Sequence, residues 1–564
     1  MPSSAAIVYD QTCAAEKRRR RKRSRLPDPA KRVFINDLVC EGCGDCSKTS
    51  NCLSVVPVET EFGRKRAIDQ SSCNKDYSCV EGFCPSFITV HGGELKKRKA
   101  GDFGETELPA LPEPAHPALD KPYGILVTGV GGTGVVTIGA LLGMAAHLEQ
   151  KGCTVLDMTG LAQKGGAVYS HVRIARTSDE IHAVRIAAGG ASLLLGCDLV
   201  VSASQDALSK LEPGHSRAII NSHETITGEF TRHPDLTFPS HAMQRSIAEA
   251  AGEENVEFLN ATDLATGLLG DAIASNLFTL GFAYQRGSVP LSAEAIERAI
   301  ALNGVAVEFN RDAFRWGRRA AVDPDLVRSR ATPPASVPPS HHLSDTLDQM
   351  VSRRVAFLTD YQNTAYAARY AARVERVRKA EAACLSGETG LTQSVARSLF
   401  KLMAYKDEYE VARLYSETEF LQRIADWFEG PCKLNFHLAP PLLGDRDPET
   451  GHLRKRSFGP WILSVFRILA WLRRLRGTPF DIFGRSEERR LERRLIGEYE
   501  ELIDEILTHL SPANHRLAIE LAGLPVEIRG FGHVKQANLA RVKEREEVLL
   551  ACFRSEPLHA LAAE

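Results

Sequence analysis

Long hydrophobic runs are missing from this 564-residue chain. Its most apolar stretch, Trp461 to Leu472, is interrupted by Arg467 and falls short of the roughly 20 apolar residues that a bilayer-spanning helix needs. No membrane attachment is therefore expected. Net charge is missing too. Lys and Arg number 70 against 71 Asp and Glu, a formal charge of −1, so no global field directs the chain to nucleic acid. Met1 to Ala15 has no basic start followed by an apolar run, and so no secretory signal is read there. A secreted disulfide framework is accordingly not expected. Reduced thiols in a cytoplasmic protein are. Apolar content of 43% and charged content of 25% are ordinary for a globular chain, and the length predicts about three or four domains.

Cysteine is what the sequence does have, and it is concentrated. Seven of the 13 cysteines fall between Val39 and Pro85: Cys40, Cys43, Cys46, Cys52, Cys73, Cys79 and Cys84. The first three form C-E-G-C-G-D-C and the last is followed by proline. Thiolates three positions apart, and three again, let one tight loop meet three corners of a cubane iron–sulfur cluster, and Gly42 and Gly44 give that loop backbone freedom. Bacterial ferredoxins use C-x2-C-x2-C-x3-C-P, whose fourth cysteine serves another cluster. Here Cys52 comes two residues late and the C-P element is displaced to Cys84-Pro85. The expected site is one [4Fe–4S] cluster on Cys40, Cys43, Cys46 and Cys84, with Cys52 the rival fourth ligand. Cys52, Cys73 and Cys79 are then left as three, one short of a second set. Structural zinc is the alternative, although it favours two separated C-x2-C pairs.

Upstream lies a dense basic run, Lys17 to Arg25. Its plain reading is a solvated connector that also offers positive charge to an acidic partner. Residues Ala6 to Tyr9 read as the last strand of a preceding domain. Downstream, Pro109, Pro112, Pro114, Pro117 and Pro122 predict an extended, semi-rigid linker. Gly124 to Thr128 then reads as a strand, followed by a helix to about Glu149 and a second strand, Cys153 to Asp157. The turn between the first strand and the helix carries G-x-G-x-x-G at Gly129, Gly131 and Gly134, with Gly132 beside them and Asp157 23 positions on. Such a loop can present helix N-terminal amides to a phosphate, or only pack strand against helix. Asp198 to Ser202, Arg217 to Asn221 and Val256 to Asn260 read as further strands. Asp271 to Gln285 and Ser292 to Leu302 read as helices, the latter capped by Ser292. An open, mostly parallel sheet covered by helices follows from this alternation. Leu161 to His171 reads as a loop with Lys164, Gly165, Gly166, Tyr169, Ser170 and His171 at a strand's carboxyl end, where α/β folds place ligands. Pro324 to Pro339 reads as a second linker. Long amphipathic helices follow, best seen from Arg485 to Leu510. The Trp and Phe residues from Trp461 to Trp471 read as core, and Arg473, Arg474 and Arg476 as a solvated helix end.

C-E-G-C-G-D-C, C-N-K-D-Y-S-C, G-F-C-P-S-F, G-V-G-G-T-G-V-V-T-I-G and L-A-Q-K-G-G-A-V-Y-S-H together resemble the indolepyruvate:ferredoxin oxidoreductases, the long fused form of 2-oxoacid:ferredoxin oxidoreductase. T-P-F-D-I-F-G and E-I-R-G-F-G-H-V-K resemble the C-terminal domain of the same proteins. The resemblance implies a fold of three parts. These are a small iron–sulfur module, an α/β gamma-type pyruvate/ketoisovalerate oxidoreductase domain and a mainly helical C-terminal domain. It implies oxidative decarboxylation of an arylpyruvate on thiamine diphosphate with Mg2+, coenzyme A as co-substrate, acyl-CoA as product, and ferredoxin as the electron acceptor. It carries no catalytic residue onto this chain. The Gly129–Gly134 loop, with Lys164, Gly165 and Gly166, is its implied cofactor-binding region. A G-D-G diphosphate motif is lacking, since Gly101-Asp102-Phe103 and Gly444-Asp445-Arg446 do not fit. The chain therefore resembles the C-terminal half of the fused enzyme and is expected to need a thiamine-binding half or subunit.

The expected domains are 1–35, a basic segment; 36–95, the cysteine module; 96–122, a linker; 123–322, the gamma-type domain; 323–341, a linker; and 342–564, the helical domain. Two other readings stay open at this point. One is an NAD- or flavin-linked iron–sulfur reductase using Gly129 to Gly134. The other is a metal-containing nucleic-acid module using Lys17 to Arg25.

Overall fold

The computed structural model describes residues 12–22, 24–96, 109–160, 166–331, 338–440, 446, 448 and 451–561. Ala6 to Tyr9, Lys164 and Gly165 lie outside these residues. The strands, in chain order, are β1 (Lys31–Ile35), β2 (Val55–Val58), β3 (Lys65–Ile68), β4 (Phe87–Leu95), β5 (Tyr123–Val130), β6 (Gly152–Thr159), β7 (Ala167–Ala175), β8 (Leu193–Gly196), β9 (Arg217–Asn221), β10 (Val256–Leu259), β11 (Phe428–Leu438) and β12 (Arg456–Phe458). The chain divides into two compact units: residues 1–19 with 96–334, and residues 20–95 with 335–564. The segments expected as separate domains, 36–95 and 342–564, thus share one unit.

The first unit is built on a six-stranded sheet of order β10-β9-β8-β5-β7-β6. The pairs β10–β9, β9–β8 and β8–β5 are parallel. β7 runs antiparallel to both β5 and β6. Strand β5 is buried along Gly124 to Val130 because both faces of the sheet are covered. Ile125 and Val127 face one core with Ile138 and Phe278. Leu126 faces another with Leu199 and Ile247. This is the period-two alternation of a strand. The helices Val135–Leu148, Ser275–Gln285 and Val307–Val322 pack on the first face.

Several expectations are corrected here. Asp198 to Ser202 is not a strand. Asp198 caps a short helix, Leu199–Ser202, and the strand is β8, just before it. Tyr169, Ser170 and His171 are not loop residues but lie in β7. The linker from Pro109 to Pro122 is held against its own unit. Tyr284 Oη and Arg318 Nη2 donate to the Glu113 carboxylate at 2.6 and 2.9 Å, and Arg319 Nη2 donates to the Pro109 carbonyl at 2.9 Å. Pro324 opens a helix, Pro324–Ala331, at the position where a missing N–H costs nothing.

The second unit carries an antiparallel sheet of order β1-β4-β11-β12 and a two-stranded β2–β3 ribbon. Cysteine-module strands therefore pair with strands more than 300 residues downstream, as in Thr89 opposite Asn435. The C-terminal region is thus not purely helical. Its helical core gathers Tyr370, Leu399, Tyr499 and Ile506 from the helices Thr364–Cys384, Gly390–Met403 and Glu487–His509. Phe466 is buried, but Trp461 and Trp471 are 61% and 64% exposed, so the expected tryptophan core is corrected to one face of the helix Ile462–Leu472. Arg476 is not a solvated helix end. It is buried, with Nε and Nη2 donating to Asp407 at 2.7 and 2.8 Å.

Candidate metal centre

Cys40, Cys43 and Cys46 follow β1 and turn into the helix Asp45–Ser50. Cys84 arrives from the other side, three residues before the start of β4 at Phe87. The four cysteines line one chamber together with Ile35, Glu41, Gly44, Asp45, Arg66, Gly82 and Ser86. Cys52 is not on this wall. The turn is possible because Gly42 and Gly44 adopt left-handed φ values of +69° and +79°. A Cβ on Gly42 would stand 2.1 Å from the Arg64 carbonyl oxygen. The Gly42 N–H donates to Cys40 Sγ at 3.3 Å. The Phe83 N–H donates to Asp45 Oδ2 at 2.7 Å and ties the Cys84 segment to the first loop. The Tyr415 hydroxyl donates to the Pro85 carbonyl at 2.7 Å.

The chamber has a marked electrostatic setting. Burial raises the thiols of Cys43 and Cys46, and the neighbouring sulfurs raise them further. Burial likewise raises Cys84, against the pull of Lys455. Such thiols stay protonated until a cation is bound to them, which reverses the balance. Positive charge is already in place. Arg66 is fully buried on the wall, and Lys455 donates to the carbonyls of Gly82 and, at 2.8 Å, Val80. Behind Cys40, burial alone would raise Glu41. Lys401 and Lys406, at 2.5 and 2.9 Å, instead hold its carboxyl well below the usual range. Lys406 also donates to the Val39 and Cys40 carbonyls at 3.3 and 3.2 Å.

Among the described residues no group of three or more His, Cys, Asp or Glu is gathered tightly enough to hold a single metal ion. The four cysteines line one space. Structural zinc needs four donors at about 2.0–2.3 Å from one ion, whereas a cubane presents a separate iron to each thiolate. Four cysteine thiols are the donor set that a four-iron cube takes. The Ser47 hydroxyl, next to Cys46, is buried and has no protein partner. It is a donor of the kind that tunes cluster sulfur. Sequence reasoning missed Arg66, Lys401, Lys406 and Lys455, because no local pattern links residues so far apart.

The glycine-rich loop lies in the first unit, between β5 and the helix Val135–Leu148. The Val130 N–H donates to Asp198 Oδ2 at 2.5 Å and the Gly131 N–H to the Gly166 carbonyl at 2.8 Å. Asn276 Nδ2 donates to the Thr133 carbonyl at 3.1 Å. The Gly131 N–H and the Gly166 carbonyl are thus paired with each other, while Gly132 and Thr133 are exposed. β7 lies between β5 and β6, so Asp157 is not on the strand adjacent to the loop, as a dinucleotide fold requires. His171 is buried, accepts from the Ile186 N–H at 3.3 Å, and is lowered to about 4 chiefly by burial. It is a core histidine.

The comparisons with known proteins follow this division. Residues 124–320 match the model of the pyruvate ferredoxin/flavodoxin oxidoreductase family. The indolepyruvate oxidoreductase subunit IorB of Pyrococcus horikoshii is 30% identical over 205 residues, 36% of this chain and 96% of its own length. The chain belongs to the 2-oxoacid:ferredoxin oxidoreductase family. A second member, the IorB subunit of Methanothermobacter thermautotrophicus, is 29% identical over 203 residues, 36% of this chain and 98% of its own length. The gamma subunit of a keto/oxoacid ferredoxin oxidoreductase from Geobacter sulfurreducens has 22% identity, covering 36% of this chain and 98% of that one, with a TM-score of 0.26. Residues 347–548 match a family of unknown function, DUF6537. As a 2-oxoacid:ferredoxin oxidoreductase subunit the chain is an oxidoreductase component. The nicotinamide, flavin and nucleic-acid readings are not favoured. No helix among the described residues is long and apolar enough to cross a membrane.

Proposed function

We propose that this chain is the electron-relaying subunit of an arylpyruvate:ferredoxin oxidoreductase, acting on indolepyruvate or a close analogue. Cys40, Cys43, Cys46 and Cys84 hold a [4Fe–4S] cluster, which when bound takes up and passes on one electron at a time. Asp45 fixes the Cys84 segment against the first loop, and Arg66 and Lys455 offset the negative charge of four thiolates. Thiamine diphosphate and Mg2+ belong to a partner subunit or half, for which this chain has no diphosphate motif. Overall, 2-oxoacid, coenzyme A and two oxidised ferredoxins give acyl-CoA, carbon dioxide, a proton and two reduced ferredoxins.

The observation that carries this reading is the closed wall of four cysteines, drawn from two segments 38 or more residues apart, in a chain of this family. It is tested by anaerobic purification. The protein should carry iron and acid-labile sulfide and lose them on Cys84→Ser. Alone it should not reduce a dye with indolepyruvate and coenzyme A, and activity should appear on adding the thiamine-binding partner. Iron-free protein, or turnover without a partner, would overturn the proposal.

A further inference from the structure

Residues 347–548, which match a family of unknown function, close the cysteine chamber from behind. Strand β11 pairs with β4, and Asn36 Nδ2 donates to the Leu414 carbonyl at 3.1 Å. Beyond this framework, the region brings positive charge. Lys401, in the last turn of the helix Gly390–Met403, stands 2.5 Å from Glu41. Lys406, two residues before the helix Glu408–Ser416, stands 2.9 Å from the same carboxylate and donates to the carbonyls of Val39 and Cys40. Lys455 reaches the opposite loop. It donates to the carbonyls of Val80, at 2.8 Å, and of Gly82, two residues before Cys84.

Glu41 is a shared wall. It lines the cysteine chamber, and it also lines a second cavity with Lys401, Lys406, Glu488, Glu492 and Lys535. The acids across that second cavity have partners of their own. Glu492 takes Lys535 at 2.5 Å and also Arg489, and Glu488 accepts from the Gly532 N–H at 3.3 Å. Glu41 is left to face several lysines. Lys65, on β3, is 6% exposed and is the third of them. Burial would raise the Glu41 carboxyl, and Lys401, Lys406 and Lys65 together hold it well below the usual range. Four ammoniums, counting Lys455, thus stand around a chamber wall that holds two carboxylates, Glu41 and Asp45. Buried charge without a counter-charge is costly. A four-iron cube of core charge 2+ on four thiolates supplies one: the whole is an anion, and a more negative one after it takes an electron.

From this placement we propose that residues 347–548 set the reduction potential of the cluster. Lys401, Lys406 and Lys455 fix positive charge behind Cys40 and Cys84. The cube then accepts its electron at a higher potential than four thiolates alone would give. The proposal rests on the iron–sulfur reading of the chamber. In the proposed reaction the electron comes from the 2-oxoacid by way of the partner and leaves to ferredoxin. The core passes from 2+ to 1+ and back, and no bond to the lysines forms or breaks. The three lysines are positioning residues that act through Glu41 and backbone carbonyls.

The test is a reductive titration of the full chain, purified without oxygen and followed by the paramagnetic signal of the reduced cube. Lys401→Met should lower the midpoint potential. The oxidised-to-reduced ratio at a fixed potential should shift by about tenfold, which is about 59 mV for one electron. Glu41→Gln should raise the midpoint by a similar amount. The double variant removes one charge of each sign and should return close to the unaltered value. Lys401→Arg keeps the charge and should leave the potential where it was. Iron and sulfide per chain should match the unaltered protein in all four. A merely structural role would move Lys401→Met and Glu41→Gln in the same direction or not at all. Either result would overturn this proposal and leave the cluster standing. If Lys401→Met does not fold, Lys455→Met takes its place, and an unchanged or raised potential there would overturn the proposal. Unaltered protein without iron would overturn the reading of the chamber as well.

Discussion

At the scale of single residues, two glycines in the cysteine module separate conformation from contact. Gly42 and Gly63 are both left-handed, at φ +69° and +88°. A Cβ on Gly63 meets nothing within 4 Å, while one on Gly42 stands 2.1 Å from the Arg64 carbonyl oxygen. Gly63→Ala should therefore cost only the left-handed strain, about 1–2 kcal/mol. Gly42→Ala adds the displacement of backbone beside the Cys40 sulfur, roughly another 1–3 kcal/mol. Thermal melting should show Gly42→Ala well below Gly63→Ala, and its iron content per chain should fall, since the shifted loop carries the N–H bonded to Cys40. Equal melting and equal iron in the two variants would show that the Gly42 contact plays no part.

At the scale of elements, the helical region holds itself together through a buried ion pair. Asp407 caps the helix Glu408–Ser416 by accepting from the Glu410 N–H at 2.8 Å. Its carboxylate also takes the Arg476 guanidinium, which stacks 3.8 Å over the Tyr361 ring and donates to the Tyr361 carbonyl at 2.6 Å. Both side chains are 3% exposed. Asp407→Ala strands a buried cation and removes a helix cap, and so should cost about 3–5 kcal/mol. Denaturant unfolding at neutral pH measures it, and a loss under 1 kcal/mol would mean the pair is not closed in solution. None of this was legible beforehand, because Arg473, Arg474 and Arg476 look like one basic helix end. Strands β5, β9 and β10 were legible as short apolar runs between turn residues. Asp198 to Ser202 was misread because a short buried apolar run has no periodicity to separate helix from strand. Strand β7 was missed for a different reason. Val168, Val172 and Ile174 alternate correctly, but Ser170 and His171 interrupt the apolar signal, and Gly165-Gly166 suggested a loop. In the candidate site, the spacing of Cys40, Cys43 and Cys46 was legible because it is local. The clamp of Lys401 on Glu41 spans 360 positions and has no local trace.

At the scale of the whole molecule, the two units carry different parts of the sequence. One carries the α/β sheet that matches the pyruvate ferredoxin/flavodoxin oxidoreductase model; the other carries the cysteine module, completed by strands and lysines from the far end of the chain. The overall charge is balanced, yet the entry to the second unit is not. Arg20 and Arg25 are exposed, and Arg21 donates to the Asn74 carbonyl at 2.5 Å, beside Cys73. That places positive charge next to the cysteine module, and the proposed function predicts that an acidic electron carrier docks there. Charge at such a rim acts on the rate of encounter more than on the strength of the complex. Its reach is set by a screening length of about 8 Å at physiological salt and about 30 Å at 0.01 M. Arg20→Gln with Arg25→Gln should therefore slow electron delivery to an acidic ferredoxin a few-fold at low salt. The gap should close as salt is raised, while iron content and melting stay unchanged. The measurement is stopped-flow reduction of ferredoxin by the complex assembled with its thiamine-binding partner, across a salt series. A rate that is the same in both proteins at every salt concentration would remove the basic segment from the docking face.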